Sequence, residues 1–196
     1  MTAFVDDFME NFGPEVSEQL SSNLGIKKKA AAGIVPQVVP LILGGLKKQM
    51  ETRGGADRAN HILNKYGSAS VLDNIGDFFS SRSQEESPDP RLGGLLGDSG
   101  LQASDMLAQK FKLDGNTAMK IIPMLAPVIL GALSQKRDQG GEGASGIASL
   151  IDRDGDGQIL DDVIGFLSGA LGGSGSKKGG GGGILGGLLG SLFGKK

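Results

Sequence analysis

The sequence predicts an all-α protein: a multihelical, internally duplicated helical bundle that ends in a flexible glycine-rich tail. Three observations carry that expectation. No segment alternates with the period of two expected of a half-buried strand, whereas apolar residues recur at helical spacing along most of the chain. Residues 15–49 align without a gap on residues 102–136, at a constant offset of 87, and ten of those 35 positions are identical. Among the identities are Leu20/Leu107, Pro36/Pro123, Pro40/Pro127, Gly44/Gly131 and Leu46/Leu133. Finally, much of the glycine, 35 of 196 residues, lies between and after the two copies, so the packed part is nearer 150 residues.

Each element follows from local chemistry. Thr2 caps a first amphipathic stretch with Phe4, Val5, Phe8 and Phe12 on one side, and Gly13-Pro14 ends it. Pro14 suits the first position of a helix running through Leu24 and closed by Gly25. Long helical stretches cover about 27–49 and 114–137. Shorter helices are expected at about 56–65, with Ala59, Ile62 and Leu63, and at about 71–80, with Val71, Leu72, Ile75, Phe78 and Phe79. The matching final helix of the second copy is about 160–171.

Paired prolines interrupt both long stretches. Each removes a hydrogen bond and clashes with the preceding turn, at a cost of about 3 kcal/mol. Either a shorter helix ends near Val35 and another starts at Pro40, or one helix bends there. Gly44 and Gly131, one turn later, permit close helix–helix approach. The division expected is residues 1–81 as a first repeat, 82–100 as linker, 101–173 as a second repeat and 174–196 as tail.

Composition narrows the function. The net charge is −2, but the tail holds Lys177, Lys178, Lys195 and Lys196 and no acid, so the remaining body carries 16 bases against 22 acids. An acidic body without a basic patch argues against nucleic acid as a partner. There is no cysteine and one histidine, His61, which excludes thiol catalysis and a zinc centre of paired histidines. No glycine run has the Gly-Lys-Ser/Thr ending of a phosphate loop. The acidic start lacks a secretory signal, and the uncharged runs around Ile34–Leu46 and Ile121–Leu133, 17 and 15 residues long, are shorter than the roughly 20 of a membrane span, so a cytoplasmic chain is expected.

One place in the second copy is chemically loaded. Asp152-Arg-Asp-Gly-Asp-Gly-Gln-Ile159 follows the opening of a calcium loop, with Asp152, Asp154 and Asp156 at ligand positions 1, 3 and 5. Gly157 makes the turn, and the Gln158 carbonyl stands at position 7. The match fails at position 12, where Val163 replaces the bidentate glutamate, and Asp161 or Asp162 is left to complete the set. The first copy aligns here on Asn64–Asp73, an ordinary turn in which Asp73 already stands opposite Asp161. Asp161 therefore also reads as the cap of the following helix, and Asp162 carries equal weight as a ligand. A loop this incomplete suits a weak structural ion, with Kd on the order of 10⁻⁴–10⁻³ M.

The proline-bearing helix of form Pro-xxx-Pro, the Gly-Leu-Leu-Gly stretches and the Asp-Arg-Asp-Gly-Asp-Gly loop together resemble the YidB-like family of uncharacterised bacterial proteins, here as two tandem copies over about residues 15–170. The resemblance implies a small multihelical fold and a bacterial source, and no established activity.

The expected function is a non-enzymatic helical binding or structural protein with a calcium loop, acting on an unidentified protein partner. The first alternative is a peripheral membrane-associating or self-assembling protein. It would act through residues 184–196, where Ile184, Leu185, Leu188, Leu189, Leu192 and Phe193 recur at helical spacing beside a seam of Gly186, Gly190 and Gly194. A hydrolase is the second alternative, although nothing in the pattern positions an acid pair.

Overall fold

The computed structural model describes residues 3–86 and 88–140, and every regular element among them is helical. Helix α1 (Ala3–Asn11) and helix α2 (Gly13–Leu24) come first, and Gly25 closes α2 in the left-handed conformation at φ 66°, as its lack of a Cβ allows. Helix α3 (Lys28–Arg53) leads to α4 (Gly55–Tyr66). The stretch expected as a single helix over 71–80 is two, α5 (Ser70–Asp73) and α6 (Ile75–Ser83). The break falls at Asn74, with φ −149° and ψ 66°, whose side chain accepts from the Asp77 amide at 3.3 Å and caps α6. A 3₁₀ turn at Leu92–Gly94 precedes α7 (Asp98–Phe111) and α8 (Gly115–Gly140).

The prolines do not divide the long helices. α3 runs through Pro36 and Pro40, and α8 through Pro123 and Pro127, as 26-residue helices. Beside Pro36, the Gln37 side-chain amide donates to the Gly33 carbonyl at 2.6 Å and so supports the turn that the proline weakens. Burial decides the outcome. Of the residues in α8, Ile121, Ile122, Leu125, Val128, Ile129 and Leu133 are wholly inaccessible, and continuous packing outweighs the local cost of the prolines.

α8 is the axis of the bundle. It packs against α3, α4, α5, α6 and α7, and more lightly against α1 and α2. The close approach expected at Gly131 is to the turn before α5: a Cβ there would lie 2.9 Å from the Ser68 carbonyl oxygen. Across the same contact, a Cβ on Gly67 would lie 2.6 Å from the Leu130 carbonyl oxygen. Segment 84–97, between α6 and α7, also contributes to the interior through Pro88, Pro90, Leu95 and Leu96. α3 and α8 are each long and apolar enough to cross a membrane by length and composition alone, yet half of the apolar window of α3 and 78% of that of α8 are buried inside the protein.

The copies differ at the entrance to their long helices. Asp114 accepts from the Thr117 amide at 2.9 Å and caps α8, whereas Lys27, its counterpart 87 residues earlier, makes no side-chain cap on α3. Hydrogen bonding from Thr117, side chain first and backbone second, holds the Asp114 carboxyl below its ordinary value of 3.8. A depressed carboxylate pKa contributes stability above the unfolded value and loses it as pH falls through the folded one. Asp114→Ala therefore melts below the parent at neutral pH, and the gap closes on acidification through that range. Melting curves from neutral to strongly acid pH check this, and a gap that stays constant throughout sinks it.

Candidate functional site

The two copies clasp one another through their leading segments. The Gln49 amide of α3 donates to the Gly94 carbonyl at 2.9 Å, which ties the segment before α7 to the long helix of the first copy. Residues 49 and 94, moved by 87 in opposite directions, become 136 and 7. Lys136 of α8 and Asp7 of α1 are an ion pair. Each copy thus lends its leading segment to the long helix of the other, by a neutral hydrogen bond on one side and an ion pair on the other.

The two sides are filled differently. On α3, Leu95 and Leu96 are buried, and Leu96 presses so closely on Gly45 that a Cβ there would meet its Cδ2 at 2.5 Å. On α8 the corresponding place opens into a cleft of about 360 Å³ between α1 and α8. Its apolar side is Phe4, Phe8, Phe12 and Ala132, and its polar side is Asp7, Asn11, Gln135, Lys136 and Gln139. The phenylalanines follow one face of α1 at a spacing of four, with centroids 6.1 Å apart for Phe4–Phe8 and 5.6 Å for Phe8–Phe12, within the usual range for aromatic pairs. Phe4, Phe8 and Ala132 are themselves buried, so what the cleft presents to solvent is its polar rim and the edge of Phe12.

Other polar groups brace the helices. Arg137 donates from one guanidinium nitrogen to Asn60 at 3.2 Å and Asn64 at 3.1 Å, joining α8 to α4. The Lys120 ammonium donates to the Ser83 carbonyl at 2.8 Å and ties α8 to the end of α6. Lys47 and Ser134, equivalent by the offset of 87, are both buried at their polar atoms without a hydrogen bond among the described residues, although Lys47 lies 3.6 Å from the Glu51 carboxylate.

The six residues expected to hold calcium, Asp152, Asp154, Asp156, Gln158, Asp161 and Asp162, lie outside the described residues, as does the tail at 174–196. Among the described residues no three histidine, aspartate or glutamate side chains gather around one point. His61 is exposed on α4 and is not part of the cleft wall. The residues left short of an amide donor by the prolines (Ala32, Pro36, Met119 and Pro123, each four positions earlier) do not line the cleft either. Sequence reading placed Phe4, Phe8 and Phe12 on one face but missed the cleft itself. Its other wall lies about 130 positions away, and the usable signal was the offset of 87 carried back from residue 15 to residue 7.

No curated protein and no solved structure matches the chain. The model of one family, described as bacterial protein of unknown function (DUF937), matches residues 6–137 and again 135–195. The first match alone covers well over half of the chain and spans both proline-bearing helices, and the chain belongs to this DUF937 family of bacterial proteins of unknown function.

Proposed function

We propose that the protein is a non-catalytic helical binding or structural module, with a weak structural calcium ion held by loop 152–163 of the second repeat. The observation that carries the first part is the reciprocal clasp. The ionisable side chains Lys136, Asp7, Arg137 and Lys120 hold helix to helix, and the cleft beside them has a polar rim of Asp7, Asn11, Gln135, Lys136 and Gln139. Such a surface supports binding over chemistry, since its one carboxylate–ammonium pair, Asp7 and Lys136, is spent on holding α1 to α8. The burial of α3 and α8 supports the reading that neither helix crosses a membrane.

The ion reading rests on the loop's alternating Asp152, Asp154 and Asp156, together with Asp161 and Asp162. Five carboxylates this close repel one another, and a hard cation with oxygen ligands relieves the repulsion. Calcium at ten times its Kd stabilises by about 1.4 kcal/mol, which raises Tm by roughly 3–6 °C for a chain of this size. Titration from chelator to several millimolar calcium produces that rise in the parent and none in the Asp154→Ala/Asp156→Ala variant. Equal responses from the two proteins refute the site.

A further inference from the structure

We propose that the end of the bundle where α3 begins and α7 stops binds an anionic membrane surface through a patch of lysines. Composition gives the protein an acidic body, yet Lys27, Lys28, Lys29, Lys110 and Lys112 are all exposed at this end. The two groups are far apart in sequence and meet through the fold. A Cβ on Gly33 would lie 3.0 Å from Phe111 Cε1, and the Lys110 ammonium donates to the Gln37 side-chain carbonyl at 3.1 Å. Lys29 stands one helical turn before Gly33 on the same face of α3. Lys28 pairs with Glu18 at 2.9 Å, and Asp114, the acid beside Lys112 in the chain, is turned to Thr117. Lys27, Lys29 and Lys112 have no ion-pair partner among the described residues.

Local stability argues against lysine at these positions, and the other copy shows the alternative. Lys27 precedes the first turn of α3 with φ −63° and ψ 137°, where a short polar side chain caps best, and its counterpart Asp114 does cap α8. Lys28 and Lys29 place positive charge in that first turn, the helix end that favours anions. Lys112 closes α7 in the left-handed conformation at φ 55° and ψ 48°, which a side chain disfavours. Its counterpart Gly25 closes α2 at φ 66° without that cost. Four lysines held at one end against the preferences of the backbone answer to something outside the fold.

The chemistry of the patch selects the partner. Ammonium groups on long stems suit a diffuse negative surface, and each is worth about five-fold in partitioning onto an anionic bilayer. Phe111 and Leu113, both half-buried, flank Lys112 and supply apolar edges that the headgroup region accepts. None of the five offers the guanidinium fork that grips phosphate in two places, so nucleic acid is the weaker fit. The patch shares no residue with the clasp or with loop 152–163. Its failure therefore leaves the binding-module reading and the calcium titration standing.

The test is co-sedimentation of the full chain with vesicles of phosphatidylcholine carrying about one-third phosphatidylglycerol. The parent pellets with them at low salt, high salt releases it, and pure phosphatidylcholine retains little. Lys27→Asp with Lys112→Gly installs the other copy's residues, so this variant melts above the parent while its partition falls at least ten-fold. Because the variant is the more stable protein, unfolding does not account for the loss. Lys177→Gln, Lys178→Gln, Lys195→Gln and Lys196→Gln together leave most of the binding in place. A parent that ignores the anionic vesicles overturns the proposal, as does equal partition of the parent and the Lys27→Asp/Lys112→Gly variant. Binding lost solely in the four-site tail variant assigns the lipid contact to the tail and overturns it too. Retention of duplex DNA, with the vesicles left unbound, assigns the patch to nucleic acid and has the same effect.

Discussion

Leu133→Ala lowers the unfolding free energy by about 2–5 kcal/mol, the range for truncating a fully buried leucine. For a chain of this length that is a drop in Tm of roughly 4–20 °C. Leu133 is wholly inaccessible and sits on α8, the helix that most of the others touch, so its cavity cannot collapse without moving several elements. Leu46, its partner at the offset of 87, is equally buried on α3, and Leu46→Ala falls in the same range. Met119, also on α8 but 37% exposed, is the internal control, and its alanine variant stays within about 0.5 kcal/mol of the parent. Thermal and denaturant unfolding followed by circular dichroism measures all three. A Leu133 variant as stable as the Met119 variant would mean that α8 is not the axis of the core.

Gly100→Ala destabilises by about 1–3 kcal/mol or more, the cost of forcing atoms into a packed site, whereas Gly13→Ala is tolerated. The two glycines are equivalent at the offset of 87, but they face different atoms. A Cβ on Gly100 would lie 2.0 Å from the carbonyl oxygen of Pro90, which is backbone held by a buried proline. On Gly13 it would lie 2.9 Å from Met9 Cε, the free end of a flexible side chain that can turn aside. Unfolding free energies of the two variants decide the matter, and equal losses would show that the Pro90–Gly100 contact is not close.

Much of the architecture is legible in the sequence because it rests on periodicity and on end signals. Gly25 stops α2, and Pro14 stands in its first turn, as local backbone chemistry requires. The duplication leads one to expect a pair of long helices, and both are present. The division at Asn74 is not legible, because the run from Val71 to Phe79 is apolar at helical spacing on both sides of a residue that caps better than it continues. The prolines mislead in the opposite direction. Their local cost is real, but it is set against the burial of an entire helix.

Residue pattern by itself determined the helical class, the duplication and the kinship with a bacterial family, since each is written in spacing along one segment at a time. The clasp and the cleft were decided only in three dimensions. Asp7 and Lys136 are far apart in sequence, and nothing in either neighbourhood announces the other. What distinguishes the two sides of the clasp is also tertiary: a compact glycine turn fills the surface of α3, while the regular helix α1 leaves space beside α8. A helix cannot follow a neighbouring surface as closely as a turn with left-handed glycines, because its side chains hold its backbone away. That difference in packing opens a cleft in one copy and closes it in the other.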